Sequence, residues 1–271
     1  MALALASTRI PLRQKDFEAF DLDGTFAVVS PGGRGHPCPA VIADLGMTRT
    51  IAIFGDVHGH QDAMVRAVLC WQEQNQASVD LILCVGDFQA MRGEIDMRAM
   101  ACPAKYQQVG DYPAYHAGEK SFPVEVVFVG GNHEAYNWLE TMSAGGYLGP
   151  NCYYLGRSGV IERLGLWIAG LPELAEPGTA DGTPRRGVGN EPARWLLEQL
   201  KPPWAFCGHM HQYFRGQVTW APGTVTRFVC LERVTSPASQ SMCVLRVEDQ
   251  VDGHPRLEED DSPPQGTTSQ G

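Results

Sequence analysis

From Thr50 onward the chain is a succession of short apolar runs separated by polar, glycine-bearing segments. Continuous apolar runs of about four to eight residues read as strands buried on both faces. On that ground the sequence predicts strands at Thr50–Phe54, Leu81–Val85, Val124–Val129, Gly159–Arg163 and Leu166–Ala169. Trp204–Cys207 leads into a loop at His209, and Thr226–Leu231 and Met242–Val247 close the folded part. Helical spacing follows Asp62, a candidate N-cap, through Trp71, with Met64, Val65, Val68 and Leu69 as apolar positions. Glu191–Leu200 reads as a second long helix, stopped by Pro202 and Pro203.

The flanks lack this pattern. Residues 1–47 read as a poorly patterned N-terminal extension, with a loop at Pro31–Gly35. Residues 48–248 carry the patterned domain. From Asp249 to Gly271 the proline, glycine, serine and acidic content predicts a disordered tail. Charge is unevenly shared between these parts. The formal net charge is −10, of which −6 falls from Glu248 onward and −4 on the rest. An acidic tail says little about the field at a site in the body, so the total does not exclude a nucleic-acid substrate.

Composition narrows the class. Hydrophobic residues make up 44% of 271, enough for a sizeable core, and no apolar run is long enough to span a membrane. Met1–Ala6 is apolar but short and has no basic leader, so the chain reads as cytoplasmic rather than secreted. The eight cysteines include no Cys-x-x-Cys pair, and Cys84, Cys207, Cys230 and Cys243 lie inside strand-like runs. Free buried thiols fit that placement better than a disulfide framework or a structural zinc site.

The chemistry sits where strands end. Gly55-Asp56-Val57-His58-Gly59, Gly86-Asp87, Gly131-Asn132-His133-Glu134 and Gly208-His209-Met210-His211 occur in that order, each after an apolar run. Loops at the carboxyl ends of strands are where sites form in α/β folds, so the four segments are expected to converge. Asp56 and His58, like His209 and His211, are spaced so that both side chains point to one side of extended backbone. Asp87 ends a buried strand, where a lone carboxylate is costly unless paired or bound to a cation. With the amide oxygen of Asn132, this mixed donor set suits manganese, iron or zinc. A pair of such ions hydrolyses phosphoesters by activating water and neutralising charge at phosphorus. One competing motif, Asp21-Leu22-Asp23-Gly24-Thr25, has the form of a haloacid-dehalogenase nucleophile motif. The polar run Gln14–Glu18 precedes it instead of a buried strand, so it reads as a polar turn.

The four ordered motifs resemble the calcineurin-like metallophosphoesterases. A narrower resemblance is to the RNA lariat debranching enzymes. It rests on Asp80–Arg92, Pro103–Tyr106, Gly118–Lys120, Gly130–Ala135, Gly149–Gly156 and Leu197–Pro202. Those enzymes hydrolyse the 2′,5′-phosphodiester at the branch of an excised intron. The resemblance implies an α/β fold, a four-layer α/β/β/α sandwich. It implies two divalent metal ions, one held by Asp56, His58, Asp87 and His211 and the other by Asp87, Asn132 and His209. Asp87 would bridge, His133 would be the general acid, a metal-activated hydroxide would attack, and RNA or a nucleotide would be the substrate.

Compared with that family the chain reads as shortened, without the long insertion before the last helix and without the C-terminal domain. Many of those enzymes have Cys where this chain has Asp56, the wider superfamily's choice. No histidine occurs between His133 and His209, so the second ion lacks one expected ligand. Glu173, Glu176, Asp181 or water could substitute. Two other functions remain open on the sequence: a general phosphomonoesterase, and a non-catalytic binding scaffold with an impaired metal site.

Overall fold

In the computed structural model the described residues are 2–6, 48–100, 102–171, 191–248 and 256–260. The strands are β1 (Ala2–Ala6), β2 (Arg49–Asp56), β3 (Leu81–Gly86), β4 (Glu125–Phe128), β5 (Gly146–Gly149) and β6 (Cys152–Tyr154). They continue with β7 (Gly159–Arg163), β8 (Leu166–Leu171), β9 (Trp204–Cys207), β10 (Phe214–Trp220), β11 (Thr224–Cys230), β12 (Met242–Glu248) and β13 (Arg256–Glu259). The helices are α1 (Gln61–Asn75), α2 (Glu94–Arg98), α3 (Tyr112–His116), α4 (Tyr136–Leu139), α5 (Glu191–Leu200) and α6 (Ala238–Ser241).

Alternation hidden inside the apolar runs builds the layers. In β2, Ile51 and Ile53 face one core while Ala52 and Phe54 face another. β3 repeats this with Leu81, Leu83 and Val85 against Ile82 and Cys84, and β12 with Cys243, Leu245 and Val247 against Met242 and Val244. Successive side chains of a strand point to opposite faces, so a strand apolar on both faces must be covered twice. The first set packs against Leu5, Ile168, Trp204, Phe206 and Val229 of a second sheet. The other set packs against Met64, Val68 and Trp71 of α1. On the far side of the second sheet Ala169 meets Val160, Trp167 and Leu200 of α5. The result is an α/β/β/α sandwich, as expected. Its sheets have the orders β13-β12-β2-β3-β4-β6-β5 and β10-β11-β9-β1-β8-β7.

Two strands lie outside the patterned domain at 48–248 and widen it. β1, inside the stretch read as an unpatterned extension, is an inner strand that pairs antiparallel with both β8 and β9. Its Leu5 is fully buried, which contributes roughly 1.5–3 kcal/mol. Five residues of alternating alanine and leucine carry too weak a pattern to announce a central strand. β13, inside the stretch read as a disordered tail, pairs antiparallel with β12, setting Leu257 opposite Val247. Arg246 donates to Asp260 at 2.7 Å, and Arg215 to Glu259, so the acidic residues there meet cations.

Smaller corrections have physical reasons too. α1 begins at Gln61 with His60 at the cap position, so Asp62 lies in the first turn instead of capping it. A carboxylate there still favours the helix dipole, and Asp62 also accepts from Tyr115 Oη at 2.9 Å and Lys120 Nζ at 2.6 Å. β10 sets Phe214, Val218 and Trp220 on one face but is exposed along nearly all its length; its pairing with β11 at seven positions defines it. Among the described residues Cys84, Cys207, Cys230 and Cys243 are free thiols, and no helix is long and apolar enough to cross a membrane. The Asp21–Thr25 motif, the Pro31–Gly35 loop and the substitute ligands Glu173, Glu176 and Asp181 lie outside the described residues.

Candidate metal centre

β2, β3 and β4 run parallel side by side, and the segments after their carboxyl ends carry three of the four motifs. The fourth follows β9 of the other sheet. The N–H groups of Val57 and His58 both donate to the carbonyl of Asp87, at 3.2 and 2.7 Å, joining the first two loops. Val234 N–H donates to the Asp56 carbonyl at 2.8 Å.

Both carboxylates are buried, Asp56 at 0% and Asp87 at 2% exposure. Asp56 Oδ2 accepts the backbone N–H of His209 at 2.6 Å and lies 3.3 Å from His211 Nε2. Asp87 Oδ1 accepts the backbone N–H of His133 at 2.7 Å, and Oδ2 lies 3.8 Å from His58 Nε2. Each carboxylate is thus tied to the loop that follows another strand. Glycine makes this approach feasible. A Cβ on Gly208 would lie 2.7 Å from Asp56 Oδ1, and one on Gly131 would lie 2.7 Å from the Asp87 Cγ.

The imidazoles complete the cluster. His58 Nε2 lies 2.9 Å from His211 Nε2, and the His58 ring centroid lies 5.2 Å from that of His133. Burial pushes the His58 pKa down to about 4, against the raising effect of Asp56, and neighbouring His211, His133 and Arg233 add to the fall. His58 is therefore neutral at pH 7, the form that ligates metal. Two groups of ligand atoms fall within 4.8 Å of one another: Asp56, His58 and His211, and His58, Asp87 and His133.

The other expected ligands, Asn132 and His209, belong to neither group. Asn132 Oδ1 is buried and has no hydrogen-bond partner. His209 stands on left-handed backbone (φ 78°) and gives Asp56 its N–H, while His133, expected as an acid, is the imidazole grouped with His58 and Asp87. Two residues within the quoted motifs gain positions that their spacing alone did not assign. Gln89 places its amide 3.2 Å from His58 Nδ1, which fixes the ring that turns Nε2 towards His211. Glu134 is fully buried and accepts the N–H groups of Gln89 and Ala90 at 2.8 and 3.2 Å, bracing the loop after Asp87. Burial raises its pKa to about 7, against these lowering hydrogen bonds. The signal for both was present in Asp87-Phe88-Gln89 and Asn132-His133-Glu134, where polar residues follow apolar runs.

The donors fit a divalent cation. Asp56 Oδ1 and Asn132 Oδ1 are buried oxygens without a hydrogen-bond partner, a costly state that a cation relieves. Facing imidazoles, buried carboxylates and an amide oxygen form a set suited to manganese, iron or zinc.

Residues 49–213 match the family described as calcineurin-like phosphoesterase. Lariat debranching enzyme A of Xenopus laevis is 43% identical over 121 residues, which cover 45% of this chain and 23% of that one. The lariat debranching enzyme of Arabidopsis thaliana is 28% identical over 264 residues, covering 73% of this chain and 63% of that one. The chain therefore spans under a quarter of the Xenopus relative and under two thirds of the Arabidopsis one. Among solved structures, wild-type Vps29 of Entamoeba histolytica complexed with zinc aligns at 17% identity and a TM-score of 0.34. That alignment covers 78% of this chain and 98% of that one.

Proposed function

Since this chain belongs to the calcineurin-like phosphoesterase family, we propose that it is a metal-dependent phosphodiesterase whose substrate is RNA, at a branch of the kind that lariat debranching enzymes open. One observation carries the reading. The facing imidazoles of His58 and His211 stand beside the buried carboxylates of Asp87 and Asp56, and Asn132 adds a buried oxygen without a hydrogen-bond partner. The similarity to debranching enzymes at 43% over 121 residues supports the choice of substrate.

Asp56, His58, Asp87 and His211 would hold one ion, and Asp87, Asn132 and His209 the other. Divalent ions there would supply Lewis acidity and lower the pKa of an attacking water. The chain's own residues do the rest. Gln89 orients His58, and Glu134 braces the loop that presents Asp87. His133 is held by its backbone bond to Asp87. As an imidazolium it would give its proton to the departing ribose oxygen, help worth roughly 10²–10⁴-fold.

The test compares purified protein with manganese on a 2′,5′-branched oligonucleotide, on bis-p-nitrophenyl phosphate and on p-nitrophenyl phosphate. Turnover of both diesters above the monoester supports the reading. Preference for the monoester would make the chain a phosphomonoesterase, and absence of both metal uptake and turnover would make it a binding scaffold.

A further inference from the structure

Beside the metal cluster stands an aromatic ring that the core does not use. Tyr106 is 52% exposed, and its ring centroid lies 6.4 Å from that of His133. The other two tyrosines of this segment behave differently. Tyr112 and Tyr115 are buried at 1% and 6% exposure, and their hydroxyls reach Cys152 and Asp62. Tyr106 instead carries the Lys105 ammonium over its ring at 4.6 Å.

The segment bearing Tyr106 is clamped to the metal-ligating loop. Gln108 Nε2 donates to the His58 carbonyl at 2.7 Å, and Asp111 N–H donates to the Gly59 carbonyl at 2.8 Å. Asp111 Oδ2 in turn accepts the N–H of Asp62 at 3.0 Å. Gly59 and Gly110 pass so closely that a Cβ on Gly110 would meet the Gly59 carbonyl carbon at 2.9 Å, and both have positive φ, 75° and 71°. An exposed ring on a fixed loop loses little freedom when it binds, which is the property of a preorganised recognition surface.

We propose that Tyr106 is a stacking platform for one nucleobase flanking the scissile phosphate, with Lys105 set to meet a neighbouring backbone phosphate. Every base has a π-face, so such a platform takes single-stranded nucleic acid with little regard to sequence. Lys105 covers one face of the ring and the base uses the other. The platform rests on the phosphodiesterase reading for the position of the phosphate and extends it by naming a residue that selects nucleotides over other phosphoesters. Tyr106 is here a positioning residue for the substrate and leaves the metal ligands untouched.

The experiment uses the full chain with manganese as wild type, Y106A and Y106W. Binding by fluorescence anisotropy and steady-state turnover are measured on a 2′,5′-linked adenosine dinucleotide and on the same diester lacking one base. Y106A is expected to weaken Kd and raise KM about tenfold for the base-bearing diester, to change either by less than about twofold for the abasic one, and to leave metal content unchanged. Y106W is expected to restore the loss. Equal affinity of wild type and Y106A for the base-bearing diester, or equal losses on both diesters, overturns the platform. A base-dependent loss of binding without turnover by the wild type keeps the platform and removes the catalytic reading. Turnover of both diesters by the wild type without preference for the base removes the platform and keeps the enzyme.

Discussion

His58 and His211, 153 residues apart in sequence, meet with their Nε2 atoms 2.9 Å apart, and both stand on left-handed backbone with φ of 48° and 47° in place of the extended backbone expected from their spacing. Such a conformation costs about 1–3 kcal/mol at a non-glycine residue and persists only where the surrounding structure imposes it. The imposition is visible. Two N–H groups of the His58 loop donate to the Asp87 carbonyl, and Asp56 accepts the N–H of His209, two residues before His211. The fold thus aims two neutral-capable nitrogens at each other beside a buried carboxylate, an arrangement that a cation stabilises.

Metal should therefore stabilise the protein as well as activate it. Manganese at a hundredfold excess over its Kd is expected to add about 2.7 kcal/mol of stability, read as a rise in Tm over chelator-treated protein. Asp87→Ala should abolish that rise, deplete bound metal and eliminate turnover. Wild-type metal content in this variant would show that Asp87 is no ligand.

Gly208→Ala places a methyl carbon 2.7 Å from Asp56 Oδ1 and 3.1 Å from its Cγ, so the carboxylate must move. Metal affinity and turnover are expected to fall by tenfold or more, about 1.4 kcal/mol or above. Gly149→Ala, where a Cβ meets nothing within 4 Å, is the matched control and should change neither. Equal behaviour of the two variants would refute the steric argument.

His133 is placed where two roles differ in their consequences. A proton donor matters for a ribose leaving group and hardly at all for p-nitrophenolate. His133→Ala should lose roughly 10²-fold or more on a ribose diester, much less on bis-p-nitrophenyl phosphate, and keep its metal. Loss of metal together with similar losses on both substrates would make His133 a ligand, as its grouping with His58 and Asp87 allows.

Acid should loosen the loops before it unfolds the sheets. Asp96 has a pKa lowered to about 2, chiefly by its hydrogen bonds with Arg92, with Asn137 adding to the effect. Arg92 also lies 4.4 Å over the Trp138 ring, so this node joins the segments that follow Asp87 and His133. A depressed carboxylate stabilises the fold fully above its unfolded pKa of 3.8, and the contribution disappears as pH falls from there through about 2. Asp96→Asn should lower Tm at pH 7 and flatten the decline of Tm between pH 4 and 2. An unchanged pH profile would remove the node from the stability account.

The end of the chain contributes to stability through β13. Truncation from Asp249 removes Leu257 opposite Val247 and the Arg246–Asp260 pair. Tm is expected to fall by roughly 2–4 °C, the shift that about 1 kcal/mol produces in a domain of this size. An unchanged Tm on thermal scanning would show that the strand adds nothing.

Much of this was legible along the chain, and the reason is local. Apolar runs such as Leu81–Val85 can satisfy both faces only inside a layered sheet, and polar residues placed after them can only crowd the strand ends. The β7, α5 and β9 spans predicted from the pattern coincide with those observed, and edges of β2, β3 and β8 extend beyond prediction by one or two residues. Strands whose stability comes from partners were not legible. β1 has five small or unremarkable positions, β10 has no buried face, and β13 is written in charged residues; each exists because another strand lies beside it.

The sequence by itself determined which side chains could do the chemistry, because Asp, His and Asn after buried strands are costly anywhere but in a polar cluster. The tertiary structure alone decided their partners. It set His58 against His211, placed Gln89 on the far nitrogen of His58, and laid Gly208 and Gly131 over the two carboxylates. It also brought Tyr106 to the edge of His133. These relations join loops on different strands and sheets, and spacing along one strand carries no information about distances across two.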